Sequence, residues 1–452
     1  MEQIEKTIAR KVHEKGGRVF YVGGCVRDAL LGIENKDIDI EVHGISSSEL
    51  LTILKELGEP LSYGNSFGIY SLKGYDIDIA MPRLEHATGS GHKDFEIFVD
   101  PFIGVKKAAK RRDFTVNAMM QDVLTGEIID CYDGRYDLSR KLLRHVDSDS
   151  FTEDPLRVLR AAQFASRYEF EIDPETKRLC EKTDISALSK ERVEEELKKA
   201  LLKAAKPSIF FETLRGMKKL SFWFPELEKL IGIAQDPKFH PEGDVWVHTM
   251  EVVDRAAVHR PETSDPYSFM LLALTHDFGK ITTTEEIDGH IHAYEHETKG
   301  LPIVEEFLDR IVSEKSVKEY VLNMVALHMK PNVLAFNKSS LKKTNKLFDE
   351  AAAPKDLIYF AMCDRPVKSG DVPFEGDDAF LFDRFKKYED IMAKPHVMGR
   401  DLLAAGLQAG EYFNDLLAYA HKLHLAGINK DNALKQTLAY AKKNKQKDEI
   451  QN

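Results

Sequence analysis

The sequence predicts an α+β protein whose strands lie near the N-terminus and whose remaining length is mainly helical. Alternating apolar and polar residues at 37–42 and 75–81 are typical of half-buried strands. Beyond Pro225 the apolar residues keep a helical spacing. At 452 residues the chain is too long for one hydrophobic core, so several domains are expected.

Composition and charge indicate a globular protein of a reducing compartment. No apolar run approaches the 18 residues that a membrane span needs, so we expect no membrane partner. The cysteines, Cys25, Cys131, Cys180 and Cys363, form no Cys-x-x-Cys pair, which favours a reduced, cytoplasmic protein. The net charge of −11 counts against a uniformly basic nucleic-acid binder. It leaves room for local phosphate-binding patches, such as the lysines at 198–206.

A glycine turn near the N-terminus has the features of a phosphate-binding device. The apolar strand at 19–22 runs into Gly23 and Gly24, and a short helical segment follows. Glycines before a helix N-terminus offer backbone N–H groups to phosphates. Arg27, one turn into the segment, can add a charged contact.

The next strand carries carboxylates on one face. Its period of two places Asp37, Asp39 and Glu41 together. Adjacent carboxylates repel each other unless a cation neutralises them, and carboxylates with substrate phosphates are typical Mg²⁺ ligands. We therefore predict that Asp37 and Asp39 bind Mg²⁺. Asp78, on the following alternating strand, is a candidate third carboxylate, with a solvated edge strand as the alternative.

Two further motifs suit nucleotide binding. The adjacent Arg111 and Arg112 can make forked contacts to triphosphate oxygens, although a basic surface turn is the alternative. Asp154 stands at the start of a predicted helix on which Arg157 and Arg160 share a face. An Asp and an Arg side by side can present acceptors and donors to a base edge. The alternative is a capped helix with an internal ion pair.

These motifs resemble those of the bacterial tRNA nucleotidyltransferase and poly(A) polymerase family. The resemblance lies in GGCVRDALLG followed by DID, in RRDFTVNAM and in TEDPLRVLRAAQF. It implies a polymerase-β-like nucleotidyltransferase head with a mixed sheet, followed by all-helical domains. It also implies that Asp154 and Arg157 act as a protein template for the incoming base, with Arg160 as a phosphate or base contact. Arg192, in a second neck motif, would brace the neck.

The C-terminal half is rich in histidine and contains the adjacent pair His276-Asp277. Imidazoles with carboxylates suit Zn²⁺ or another transition metal that activates water for attack on a phosphate. LTHDFGK resembles the HD phosphohydrolase superfamily, which implies a Ni, Mn, Co or Zn site. The implied metal ligands are His248, His276, Asp277 and Asp364, with His296 and His328 as extra ligands of a two-metal site. An HD shell without metal is the alternative.

Taken together, the resemblances imply four domains and a specific activity. The domains are a head (1–140), a neck (141–235), an HD domain (236–370) and a tail (371–452). The activity is template-independent addition of C and A from CTP and ATP to tRNA 3′ ends by two-metal nucleotidyl transfer, with a second phosphohydrolase activity. Narrower alternatives are CC-only addition, A-only addition and poly(A) synthesis. Alternatives of another class are an HD-type phosphatase or phosphodiesterase and an RNA-binding protein with an inactive head. The oligomeric state is not predicted.

Overall fold

The computed structural model describes residues 3–34, 38–62, 68–87, 95–365, 375–410 and 412–451. The chain divides into two compact units, one ending at Pro225 and the other beginning at Glu226. The four predicted domains are a finer division, which stays a prediction. In the described part of the chain, no helix is both long and apolar enough to cross a membrane.

The first unit combines a sheet with helices. Its strands are β1 (Arg18–Val22), β2 (Ile38–His43), β3 (Pro60–Ser62), β4 (Ile69–Leu72), β5 (Ile77–Ala80), β6 (Arg83–Ala87), β7 (Phe95–Val99), β8 (Met120–Asp122), β9 (Ile128–Ile129), β10 (Leu142–Leu143) and β11 (Glu171–Ile172). Its helices are α1 (Ile4–Glu14), α2 (Gly24–Leu30), α3 (Ser47–Leu57), α4 (Val105–Lys110), α5 (Gly134–Ser139), α6 (Ser148–Glu153), α7 (Leu156–Tyr168), α8 (Pro174–Lys182), α9 (Lys190–Lys203), α10 (Ser208–Gly216) and α11 (Leu220–Trp223).

The main sheet has the strand order β3-β4-β5-β2-β1-β8-β9. Strands β2 and β5 run parallel and the other neighbours run antiparallel, so the predicted mixed sheet is confirmed. The apolar residues Ile40 and Val42 of β2 lie in a core with α1 and α3. Because side chains alternate along a strand, Asp39 and Glu41 lie on the opposite face.

The neck helix α7 follows a turn that the sequence specifies. The Asp154 carboxylate accepts a hydrogen bond from the backbone N–H of Leu156, and Pro155 precedes the first helical residue. Apolar residues at helical spacing then bury one side of α7, which packs against α9 and α10. This turn places Asp154 and Arg157 at the start of the helix.

The second unit is mainly helical. Its helices are α12 (Pro225–Lys229, whose first residue ends the first unit), α13 (Val245–His259), α14 (Pro266–Thr275), α15 (Lys280–Thr283), α16 (His296–Lys299), α17 (Leu301–Ile311), α18 (Lys315–Leu327), α19 (Lys330–Phe336), α20 (Leu341–Glu350), α21 (Pro354–Cys363), α22 (Glu375–Met392), α23 (Gly399–Ala404), α24 (Phe413–Leu425) and α25 (Lys430–Gln451). Helix α14 is apolar and buried on all sides, and α13, α18 and α21 pack against it.

A hairpin interrupts these helices, so the all-helical expectation is wrong at this point. Strands β12 (Thr284–Ile287) and β13 (His290–Ala293) pair antiparallel. The loop between them is Asp288-Gly289, and both residues have positive φ, as a type I′ turn requires. Asp-Gly between alternating residues is a strong hairpin signal, so this hairpin is predictable from the sequence.

Candidate functional site

The first unit places two carboxylates side by side in the middle of its sheet. Asp39 on β2 is in register with Asp78 on the parallel strand β5. Strand β5 lies between β4 and β2, so the edge-strand alternative for Asp78 is wrong. The backbone N–H of Asp39 donates to Sγ of Cys25 (3.3 Å), which ties β2 to α2. Asp37 lies outside the described residues.

This carboxylate pair fits Mg²⁺. Neighbouring strands are about 5 Å apart, so two in-register carboxylates repel each other unless a cation neutralises them. Asp39 and Asp78 offer only hard oxygen donors, which Mg²⁺ prefers to nitrogen or sulfur. Because Asp78 is exposed to solvent, the pair is also accessible to substrate phosphates that would complete the coordination.

The predicted arginine pair lies on the same face of the sheet. Nη2 of Arg111 and Nη2 of Arg112 both donate to Oε2 of Glu41, at 3.2 and 3.3 Å. His43 contacts the other oxygen of Glu41 at 2.9 Å. Burial alone would raise the pKa of Glu41, but the His43 hydrogen bond and the two arginines lower it to about 2. The alternation along β2 predicts that Glu41 lies on this face, but no function was predicted for it.

The glycine turn lies against this arginine pair. Gly23 has a φ of 65° and is the N-cap of α2, and Gly24 is the first residue of that helix. A Cβ atom at Gly23 would lie 3.2 Å from Nη1 of Arg112. Any other residue at Gly23 would therefore be strained by its backbone conformation and crowded by the guanidinium.

Arg27 differs from the expectation of a nucleotide contact, because it is only 3% exposed. Its Nε donates to Asp28 (2.8 Å), its Nη1 to Asn117 (2.5 Å) and its Nη2 to the hydroxyl of Tyr168 (2.5 Å). Because the guanidinium is buried and its three nitrogens all bond within the protein, little of it is accessible to a triphosphate. The structure therefore favours a role in joining α2 to α7.

The predicted base-reading residues are close in sequence but are not paired with each other. Both Asp154 oxygens accept from Nη2 of Arg192, at 3.0 Å each. Arg157 donates to the carbonyl oxygens of Ser150 (2.6 Å) and Arg111 (2.5 Å). Asp154 thus bonds the first turn of the helix, as the capped-helix alternative predicts. Its ion-pair partner, however, is Arg192, and Arg157 bonds the backbone of Arg111 instead.

Arg160 takes part in a buried network rather than standing free for a nucleotide. Its guanidinium lies 2.7 Å from Asp113, which also accepts from Asn117. Burial would raise the pKa of Asp113, but Arg160 and Asn117 outweigh it and lower that pKa. The Arg160 side chain is still 31% exposed, so one edge remains open to solvent.

The lysine patch expected in the neck is largely neutralised. Lys198 pairs with Glu194 at 3.3 Å, and Lys199 pairs with Glu195 and Glu196 at 2.7 and 3.0 Å. Two positive and three negative charges thus lie next to one another at helical spacing along α9. These two lysines offer little net charge to a phosphate backbone.

The second unit brings all six predicted metal ligands together in what we call the histidine centre. Its members are His248, His276, Asp277, His296, His328 and Asp364. Three of them are the residues directly after a helix: His276 after α14, His328 after α18 and Asp364 after α21. Helix C-termini carry partial negative charge, so three of them converging on one point favour a cation.

Backbone carbonyls orient three of the imidazoles. Nδ1 of His276, His296 and His328 lies 3.0, 2.9 and 2.7 Å from a carbonyl oxygen. A carbonyl only accepts, so each Nδ1 carries a proton and each ring directs its Nε2 inward. Nε2 of His296 and Nε2 of His328 are 3.2 Å apart. Two facing lone pairs need a cation or a shared proton between them.

The six ligands form two triads. One is His248, His276 and Asp364, and the other is Asp277, His296 and His328. Within each triad the candidate ligand atoms all lie within 4.8 Å of one another. Imidazole nitrogens with one carboxylate suit a transition metal better than Mg²⁺, and each triad leaves room for water in an open position. The residues therefore fit two such ions.

The electrostatics of the centre agree with this geometry. Burial would lower the pKa of His276, but Asp277 and Asp364 outweigh it and raise that pKa to about 10. The two carboxylates thus stabilise a positive charge at this point, which a proton or a metal ion can supply. Burial lowers the pKa of His328 to about 3, so this imidazole stays neutral and able to ligate.

Glu242 and His240 belong to this site and were missed by sequence reasoning. Oε1 of Glu242 lies 2.7 Å from Nδ1 of His248 and 3.0 Å from Nδ1 of His240. The other nitrogen of His248 faces Asp364 at 3.1 Å. A carboxylate behind a ligating histidine fixes the tautomer and orientation of that ring. No local motif marks Glu242, because its role depends on the packing of its loop against α13.

A cavity of about 470 Å³ opens onto the histidine centre. Asp277, His296 and Asp364 line it on the metal side. Apolar side chains, among them Phe239 and Met329, line other parts of it. A cavity of this kind suits a ligand with a charged end and a flat apolar body.

Known proteins share these features. Residues 19–144 match the family described as "Poly A polymerase head domain", and residues 169–231 match "Probable RNA and SrmB- binding site of polymerase A". The first match covers the sheet with Asp39, Asp78 and both arginines. This head makes the chain a nucleotidyltransferase.

The relatives define the family more closely. A "Multifunctional CCA protein" of Ralstonia nicotianae is 38% identical over 304 residues, which is 65% of this chain and 68% of the relative. One of Methylobacillus flagellatus is 39% identical over 318 residues, which is 69% of this chain and 73% of the relative. The chain belongs to the family of multifunctional CCA proteins.

Solved structures support the fold. The Bacillus stearothermophilus CCA-adding enzyme in complex with CTP superposes with a TM-score of 0.68 at 17% identity, over 99% of this chain and 100% of that one. The Thermotoga maritima CCA-adding enzyme complexed with tRNA has a TM-score of 0.64 at 21% identity, over 97% and 95% of the two chains. At these identities the likeness concerns the fold.

Proposed function

We propose that the chain adds C and A nucleotides from CTP and ATP to the 3′ ends of tRNA without a nucleic acid template. The observation that carries this proposal is that Arg111 and Arg112 contact Glu41 on β2, the strand whose Asp39 is in register with Asp78. One pair suits a metal and the other suits a triphosphate. The relatives named as multifunctional CCA proteins support the same activity.

In this proposal the sheet supplies the reaction chemistry. Asp37 and Asp39, with Asp78 in register with Asp39, would hold Mg²⁺, which supplies charge neutralisation at the reacting phosphate when bound. Arg111 and Arg112 bind the triphosphate and orient its α-phosphate for in-line attack by the RNA 3′-hydroxyl. Gly23 and Gly24 allow the phosphates to approach the backbone of the turn.

The neck supplies the choice of base. Asp154 and Arg157 offer an acceptor and a donor to the Watson–Crick edge of C or A. In the structure Asp154 pairs with Arg192, and Arg157 donates to the carbonyl of Arg111. An incoming base would replace these partners. Binding of the base would then also break the hydrogen bond between Arg157 and the carbonyl of Arg111. Arg160, with its exposed edge, remains the proposed contact to a phosphate or base.

One experiment separates this activity from its narrower alternatives. Purified protein is incubated with tRNA lacking its 3′ end and with CTP alone, ATP alone or both. We expect two added nucleotides with CTP, none with ATP, and three with both. An arrest after two nucleotides indicates CC-only addition. Growth with ATP alone on this RNA indicates poly(A) synthesis. If the enzyme extends only RNA that already ends in CC, and does so by a single A, it is an A-only enzyme. No incorporation in any mixture contradicts the proposal.

We propose a second activity, metal-dependent phosphohydrolysis, at the histidine centre. It is favoured by the two triads and by the facing Nε2 atoms of His296 and His328. When bound, Ni, Mn, Co or Zn would supply Lewis acidity and an activated water. The chain's own residues hold the ligand geometry and present the cavity to a cyclic or terminal phosphate.

Glu242→Gln tests how His248 is held. The change keeps the size of the side chain but lets the amide donate towards Nδ1, so the ring turns or changes tautomer. We expect metal affinity at the histidine centre to fall by about 10- to 100-fold, measured by calorimetric titration of metal-free protein. Glu297→Gln is the matched control. Glu297 lies 3.8 Å from Nδ1 of His296, but that nitrogen already bonds a backbone carbonyl, so Glu297 does not hold the ring. Equal affinity in Glu242→Gln and wild type contradicts the proposed role.

Two predictions from the sequence are kept as proposals. The chain is divided into a head, a neck, an HD domain and a tail at residues 140, 235 and 370. The cytoplasm is its proposed location, which agrees with four cysteines that, all within the described part of the chain, form no disulfide.

A further inference from the structure

We propose that Glu41 is a positioning residue for nucleotide binding, whose buried carboxylate holds Arg111 and Arg112 in place for the triphosphate. This inference rests on the proposed nucleotidyl transfer. It concerns a residue that neither the carboxylate metal site nor the base reader uses. Its chemistry is that of a fixed anion behind a pair of cations.

The geometry singles out one oxygen atom. Oε2 of Glu41 accepts from both guanidinium groups, and Oε1 contacts His43. Glu41 follows Asp39 by two positions on the same strand face. The arginines are thus anchored to the strand that carries the metal ligand. Any shift of β2 moves the metal site and the triphosphate site together.

The balance of charge leaves the arginines able to bind phosphate. Glu41 is 0% exposed and provides one negative charge against the two positive charges of Arg111 and Arg112. The Arg111 and Arg112 side chains are 24% and 16% exposed, so part of each faces solvent. A planar guanidinium can bond one partner with one edge and a phosphate with another. Glu41 bonds Nη2 of each guanidinium, and its single negative charge does not cancel the two positive charges of the pair.

A purely structural role for Glu41 predicts a different outcome. A buried carboxylate with two arginines contributes to folding wherever it lies. Its loss would then lower the melting temperature and leave nucleotide affinity unchanged in the folded protein. A positioning role changes the affinity for the triphosphate, and does so equally for CTP and ATP because the base is not involved.

The experiment measures binding without RNA or turnover. Dissociation constants for CTP, ATP and inorganic tripolyphosphate are determined for wild type, Glu41→Gln and Glu41→Asp. We expect Glu41→Gln to weaken all three by about tenfold, since a charged hydrogen-bond partner becomes neutral. Glu41→Asp keeps the charge but shortens the side chain, so it should fold and still bind more weakly than wild type.

Glu226→Gln is the matched control. Glu226 is also buried and accepts from an arginine, Arg310, at 2.5 Å, but it lies in the second unit. It should change stability and not nucleotide affinity. Unchanged or tighter binding in both Glu41 variants overturns the inference, as does a loss confined to one base. If wild type binds no nucleotide, the proposed function fails instead.

Discussion

Replacing Asp39 by asparagine is expected to abolish incorporation of CMP and AMP into tRNA. Asparagine has nearly the same shape but lacks the negative charge that pairs with the metal beside Asp78. Metal ions contribute several kcal/mol of charge stabilisation in phosphoryl transfer. The expected loss in rate is therefore at least about 10³-fold. The measurement is single-turnover addition of labelled CMP to tRNA lacking its 3′ end.

The control for this variant is Glu59→Gln, which removes an exposed carboxylate paired with Lys73 next to the edge strand β3. It should leave incorporation within about twofold of wild type, since exposed ion pairs contribute little. tRNA binding should be nearly unchanged in both variants, because a carboxylate makes no favourable contact to the phosphates of the RNA backbone. Normal incorporation by Asp39→Asn would show that β2 does not carry the metal site.

Asp277→Asn is expected to remove the proposed phosphohydrolase activity and to leave nucleotide addition intact. Asp277 contacts His276 and His296, both at 3.3 Å, so it lies between the two triads. Neutralising it removes a metal ligand and leaves Lys280, 2.7 Å away, without its buried counter-charge. We expect hydrolysis of 2′,3′-cyclic nucleotides to fall by at least about 10³-fold. Metal content per chain should fall as well, as measured by elemental analysis.

His290→Ala is the control in the same unit, because His290 lies on the hairpin and its side chain is 70% exposed. It should keep both metal and hydrolysis. Asp39→Asn should keep hydrolysis while losing incorporation, which makes the two activities separable. Since Asp277→Asn also loses a buried ion pair, its melting temperature is compared with that of chelator-treated wild type. Retained hydrolysis in folded Asp277→Asn would contradict the assignment.

Local pattern predicted the head sheet well. The alternation in 37–42 has a physical cause, since a strand with one buried face must place every second residue in the core. Ile40 and Val42 are buried and Glu41 lies on the other face, as the period requires. The histidine centre was predicted from its resemblance to the HD superfamily. The structure added the physical reason, namely the helix C-termini that converge there.

Partner choice among the arginines could not be predicted from the sequence. Arg27 bonds Tyr168, 141 positions away, and Asp154 bonds Arg192, 38 positions away. Such pairs depend on how helices pack, and no spacing along the chain encodes that. Arg27 and Asp154 were therefore assigned to the nucleotide, although in the structure Tyr168 and Arg192 bond to them. Glu242 was not predicted either, because its contact with His248 also depends on packing.

The network between Arg27, Asn117, Asp113 and Arg160 crosses residue 140, where the motifs of the head end. If the chain were cut there, Asp113 would lose Arg160 and Arg27 would lose Tyr168. Removing one partner of a buried ion pair typically costs about 3–5 kcal/mol, against about 5–15 kcal/mol for a whole domain. We therefore expect the proposed catalytic part and the proposed base-reading part to melt as one cooperative body. Neither could be exchanged with that of a relative without refitting this shared core.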